Sequence, residues 1–158
     1  MPEVAAKPQP SPITILGFDF GMRRVGVAVG QTVTATASAL ETLPARDGIV
    51  DMERVADLIK QWKPQRLVVG APVDLDGRQQ AIGKAANKFG RRLHGRFGLP
   101  VDEVDERMTS RAADRLFVEG RRDGSIRRRD AAKLDAVAAR LIVETWLAQW
   151  QASRPDAT

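Results

Sequence analysis

A chain of 158 residues, 43% hydrophobic and 28% charged, builds about one domain with its own hydrophobic core. No apolar run approaches the roughly 20 residues that span a bilayer, the N-terminal "MPEVAAKPQPSP" lacks a signal-peptide core, and the absence of cysteine excludes disulfides and thiolate metal sites. These features lead us to expect a cytoplasmic protein with no membrane partner, and the formal charge of +5 favours a polyanionic one.

Residues 1–12, rich in proline and alanine, read as a disordered tail, residues 13–150 as the folded domain and 151–158 as a second flexible tail. Ile13–Asp19 and Val25–Gly30 read as strands around the turn "FGMRR", and "TVTATASALETL" as a third antiparallel strand. From Gly48, "IVDMERVADLIKQW" places Met52, Val55, Ile59 and Trp62 on one helical face until Pro64 ends it. "RLVVGA" (residues 66–71) is a short buried strand, followed by the turn "PVDLDG". A helix from about Arg78 to Phe97 turns Ile82, Ala86, Phe89, Leu93 and Phe97 inward. "LPVDEVDE" is a fifth strand, "MTSRAADRLFVEG" a helix opened by a Thr109 or Ser110 cap, and Asp130–Trp150 the last helix. Three antiparallel strands followed by alternating helices and strands define one α/β domain on a mixed five-stranded sheet.

Several acids stand where a carboxylate is costly. Asp19 ends the first apolar run and the Asp105–Glu106 pair ends the fifth strand. On the last helix, with Asp135 set at 0°, Lys133, Arg140 and Glu144 fall at about 160°, 140° and 180°, while Ala138, Ala139, Ile142 and Trp146 lie within about 60°. Asp135 therefore points into the core. Taken singly, Asp135 reads as a buried ion pair with an arginine and Asp19 as a turn residue bonding backbone amides. Taken together, convergent carboxylates repel unless a divalent cation sits among them, and Mg2+ or Mn2+ suits all-oxygen ligation.

The basic residues are concentrated. Lys84 to Arg129 holds thirteen lysines and arginines against seven acids, and its extreme is "GRRDGSIRRRD", with Arg121, Arg122, Arg127, Arg128 and Arg129. Such a loop is either solvated charge or a set of phosphate contacts. The single histidine, His94, lies mid-helix, which argues against histidine triads and zinc sites, and there is no Walker-type loop.

The segments "LGFDFGMRRVGVAV", "LVVGAPVDLDG", "VDERMTSRAAD" and "KLDAVAARLI" together resemble the bacterial YqgF/RuvX family of Holliday junction resolvases, also described as nucleases for the 5′ end of pre-16S ribosomal RNA. The resemblance implies an RNase H-like fold, with helices on both faces of the sheet, and a divalent-metal nuclease site. By motif position Asp19 carries over as the first-strand acid, Asp105–Glu106 as the second and Asp135 as the acid of the last helix. Family members often have Ser-Asp after "VGVAV", where this chain has Gly30-Gln31, and that position receives no role.

The combined expectation is a Mg2+- or Mn2+-dependent endonuclease of structured nucleic acid, with Asp19, Glu106 and Asp135 as metal ligands and Asp105 as the alternative to Glu106. Reach and the family resemblance lean to the glutamate. Arg23, Arg24 and Arg107, the arginine loop and the basic second helix are the expected backbone contacts, although Arg23 and Arg24 also stand where they neutralise Asp19. Two rivals remain: a non-catalytic nucleic-acid-binding module of the same fold, and a nucleotide-binding ATPase-like domain, whose superfamily also begins with a strand ending in aspartate and a glycine turn. DNA and RNA stay open as substrates, as do monomer and homodimer.

Overall fold

The computed structural model describes residues 12–71, 78–105 and 128–153, and of residues 71, 78–82, 105 and 128–133 the backbone alone. Strand β1 (Thr14–Asp19) runs through the middle of the sheet. β2 (Arg24–Gln31) pairs antiparallel on one side of β1, and β3 (Thr36–Arg46) extends that meander. On the other side β5 (Arg66–Ala71) lies parallel to β1, with β6 (Val101–Asp105) parallel beyond it. The helices are α1 (Met52–Trp62), α2 (Arg78–Phe97) and α3 (Arg128–Ala152). An antiparallel meander continued by parallel strands, with helices on both faces, is the RNase H-like arrangement.

A sixth strand corrects the expected five. Residues 49–50 form β4 (Ile49–Val50), which pairs with the end of β3 and gives the order β4-β3-β2-β1-β5-β6. Its cause is local: Asp47 and Gly48 both have positive φ, 51° and 79°, the requirement of a two-residue hairpin turn that matches strand twist. That Asp-Gly pair turns the chain before Asp51 caps α1 through Glu53 N–H at 3.0 Å. At the far end of α1, Lys63 takes the left-handed conformation ahead of Pro64. The third strand starts later than expected because residues 32–35 make the turn from β2, with Ala35 at φ 52°.

The sheet separates two apolar layers. Leu16 and Phe18 of β1, Val25, Val27 and Val29 of β2 and Leu67 and Val69 of β5 face α1 and α2, where Phe89 meets Phe18 edge-on at 5.6 Å. Ile15, Ala28, Val68 and Val104 face α3 and pack against Ala139, Ile142, Val143 and Trp146. An irregularity in the β2–β3 pairing leaves Leu40 unmatched, so Ala37 packs on the α3 side while Leu40 and Leu43 pack on the other.

Helix α3 lies unusually close to the sheet because glycines carpet its path. A Cβ on Gly17 would meet Val143 at 2.2 Å, one on Gly30 the same valine at 2.3 Å, and one on Gly70 Ile142 at 2.4 Å. Gly30, which received no role from the sequence, thus has a packing role. Toward its C-terminus α3 is tied to the sheet by Trp146 Nε1 donating to Asp102 at 2.7 Å, and Arg66 donates to the other oxygen of that carboxylate at 2.8 Å.

Candidate active site

Asp19 is the last residue of β1 and is half-buried. Strand alternation puts it on the same side as Ile15 and Gly17, the side covered by α3. Its neighbours in register are Gly26 on β2 and Gly70 on β5. Neither carries a side chain, and the room this leaves on the α3 side is taken by the helix itself, its backbone at Asp135 over Gly26 and Ile142 over Gly70. Beyond it Phe20 N–H still bonds Gly70 C=O at 2.9 Å, which holds the strand end in place. The chain then turns tightly at Gly21, where a Cβ would stand 2.6 Å from the Arg24 carbonyl oxygen.

Asp135 arrives from the opposite direction. A Cβ on Gly26 would lie 2.0 Å from the Asp135 carbonyl oxygen and 2.9 Å from Ala136 N, so α3 rests its backbone on the glycine directly across from Asp19. Asp135 is 8% exposed and is the one buried charged residue among the described residues. Its Oδ2 accepts from Arg24 Nε at 2.6 Å. Arg24 is two residues from Gly26 on the same side of β2, so the cation follows from the strand's own alternation. Of the two arginines after Asp19, then, Arg24 is committed to the helix acid, while Arg23 is exposed and uses its backbone carbonyl to accept from Ala45 N–H at 2.8 Å.

The other expected site residues divide by where the description ends. Asp105 is the last residue of β6, opposite Ala71, and Arg128 and Arg129 open α3. Glu106, Arg107, Arg121, Arg122 and Arg127, the "PVDLDG" turn and the Thr109 or Ser110 cap lie outside the described residues. Among the described residues no three acidic or histidine side chains form a metal-holding group. Asp19 and Asp135 supply two carboxylates from two elements at one end of the sheet, and both are hard oxygen donors of the kind Mg2+ and Mn2+ take. The sequence reading missed Gly26 and Gly70. Their signal was present, since glycine inside a strand marks close approach of another backbone.

Fold and site together define an RNase H-like α/β domain with acids gathered at the end of its central strand. Residues 13–149 match the RuvX family model, described as Holliday junction resolvase, and the chain belongs to that family. A relative from Azotobacter vinelandii, described as "Putative pre-16S rRNA nuclease", is 47% identical over 139 residues, covering 87% of this chain and 95% of the relative. One of the same description from Pseudomonas aeruginosa PAO1 is 50% identical over 137 residues, with 85% and 92% covered. Among solved structures, T. thermophilus RuvC in complex with Holliday junction substrate aligns at 15% identity and a TM-score of 0.48, covering 88% of this chain and 96% of that one. No helix among the described residues is long and apolar enough to cross a membrane.

Proposed function

We propose that this chain is a Mg2+- or Mn2+-dependent endonuclease that hydrolyses phosphodiester bonds in structured nucleic acid, either a ribosomal RNA precursor or a branched DNA. Family membership supports the hydrolysis of nucleic acid. One observation carries the assignment of the site: the core-facing acid of the last helix rests on the glycine directly across from Asp19.

In this reading Asp19, Asp135 and an acid at the end of β6 hold the cation. Val104 packs on the α3 side, and the residue two further along the chain is Glu106, which favours it over Asp105 as the third ligand. A divalent cation bound there supplies Lewis-acid activation of water and neutralises charge on the leaving oxygen. Arg24 fixes the Asp135 carboxylate in orientation, so the acid is pre-positioned before substrate arrives. Gly26 and Gly70, on either side of Asp19, let α3 approach closely enough to bring Asp135 to the same end of the sheet.

The test is cleavage of a labelled four-way DNA junction and a labelled ribosomal RNA precursor, each with and without Mg2+. Asp19→Asn and Asp135→Asn should each abolish cutting while nucleic-acid binding persists. Full activity of either variant in Mg2+ overturns the site assignment. A second reading, a binding module without turnover, draws on the Arg24–Asp135 pair, which already neutralises that acid without a metal. Binding without product from either substrate would favour it.

A further inference from the structure

Among the described residues three large apolar side chains are exposed, Met22, Val33 and Ile49. Val33 sits by itself in the β2–β3 turn, whereas Met22 and Ile49 belong to one corner of the molecule. Met22 lies in the turn that follows Asp19, and Ile49 opens β4. The two segments are tied together: Gly48 N–H donates to Met22 C=O at 2.9 Å, and Ala45 N–H donates to Arg23 C=O at 2.8 Å. A Cβ on Gly48 would stand 3.4 Å from Met22 Sδ, so the methionine side chain lies along the hairpin tip.

Strand register gives this corner its side of the sheet. Arg24 pairs with Pro44 and Gly26 with Thr42, so these four share the side on which α3 lies. Arg46, two residues beyond Pro44, and its partner Ile49 share it too, while Ala45 and Val50 pack in the opposite layer. Pro44, Arg46 and Ile49 are all exposed. Pro44 is the register neighbour of Arg24, whose guanidinium holds Asp135, and Arg46 stands about 7 Å further along β3. The corner therefore continues the acid site outward, and its two backbone bonds to the turn fix its distance from Asp19. Single exposed apolar side chains are ordinary on a protein surface. Here a methionine, a proline and an isoleucine border the acids of a phosphodiester site, with Arg23 and Arg46 exposed between them. Met, Pro and Ile are side chains that proteins insert between base steps, unstacking them, and an arginine beside them suits the phosphate of the opened nucleotide.

We infer that Met22, Pro44 and Ile49 form an apolar wedge that takes the base next to the scissile phosphate out of its stack, with Arg46 on the adjoining phosphate. The cut then falls where a base step opens easily, so its position is chosen by deformability and not by base identity. This rests on the nuclease reading and deepens it, since it concerns which step of a bound substrate is cut.

The experiment is single-turnover cleavage by the full chain in Mg2+. The probes are a labelled four-way DNA junction and a labelled ribosomal RNA precursor. Each is prepared with the base step at its mapped cut fully paired and with a mismatch there, which lowers the cost of opening the step in advance. Ile49→Ser should cut the paired step at least about tenfold more slowly than the wild type, and the mismatched step within about twofold of it. Ile49→Leu should restore the rate on the paired step. Val33→Ser removes an exposed apolar side chain at the opposite end of the sheet and should change neither rate. Arg46→Ala should slow both versions alike, as loss of a phosphate contact does. Equal losses of Ile49→Ser on the two versions, or no loss on either, overturn the wedge. Wild-type protein that cuts neither probe overturns the nuclease reading itself, a result distinct from both of these.

Discussion

Replacing Gly26 with alanine tests whether α3 must rest on the sheet for the site to form. The added Cβ would stand 2.0 Å from the Asp135 carbonyl oxygen and 2.4 Å from its carbon, against an ordinary contact beginning at 3.4 Å. The clash is with backbone, so no rotamer change relieves it. The helix has to retreat by about 1.4 Å, and that retreat also loosens Ile142 and Val143 over Gly70, Gly17 and Gly30. Overpacking of this kind costs 1–3 kcal/mol and occasionally more, so about 3 kcal/mol is expected. At 2–4 °C per kcal/mol for a chain of this size, the melting temperature should fall by about 6–12 °C. The protein stays folded at 25 °C if its stability is ordinary. Activity should suffer more, because a displacement of about 1 Å in a catalytic group costs on the order of a hundredfold. Thermal denaturation followed by circular dichroism, with cleavage measured well below the transition, reads both quantities. Gly95→Ala is the control: a Cβ there meets nothing within 4 Å on an exposed helical position, and it should stabilise by about 0.5 kcal/mol. Gly26→Ala with a wild-type melting temperature and wild-type activity would refute the reasoning.

Arg24→Met removes the cation facing Asp135. Breaking a fully buried pair costs about 3–5 kcal/mol, but the Arg24 side chain is 32% exposed, so about 2 kcal/mol of stability should be lost in denaturant titration. Asp135→Asn should lower stability through the same pair, whereas Asp19→Asn should leave the Arg24–Asp135 contact intact and unfold later than Asp135→Asn. Glu106→Gln should abolish turnover and Asp105→Asn should reduce it only partially, as read by single-turnover cleavage; the reverse pattern exchanges their roles. Changing Arg127, Arg128 and Arg129 to alanine should weaken binding similarly for unrelated sequences and flatten the salt slope by about 0.9 per lost phosphate contact on duplex DNA; an unchanged slope would leave these arginines as solvated charge.

What the sequence determined by itself was whatever repeats over a short window. The short continuous apolar runs "ITILGFD" and "RVGVAVG" mark strands buried on both faces, and the helical wheel alone turns Asp135 inward, where the structure finds it. The Asp-Gly signal for the β3–β4 hairpin was present too, but its strand is two residues long and has no period to read. Tertiary structure decided the partnerships. Arg24 and Asp135 are 111 residues apart, and no local pattern says that the second arginine of "FGMRR" meets the helix acid while the first stays exposed. The same holds for Gly26 and Gly70. As letters they weaken strands, and their purpose is visible only once α3 crosses β1, β2 and β5 at a distance that a side chain would forbid. Periodicity is encoded by neighbours in the chain, whereas the placement of two carboxylates at one sheet end depends on how closely separate elements can approach.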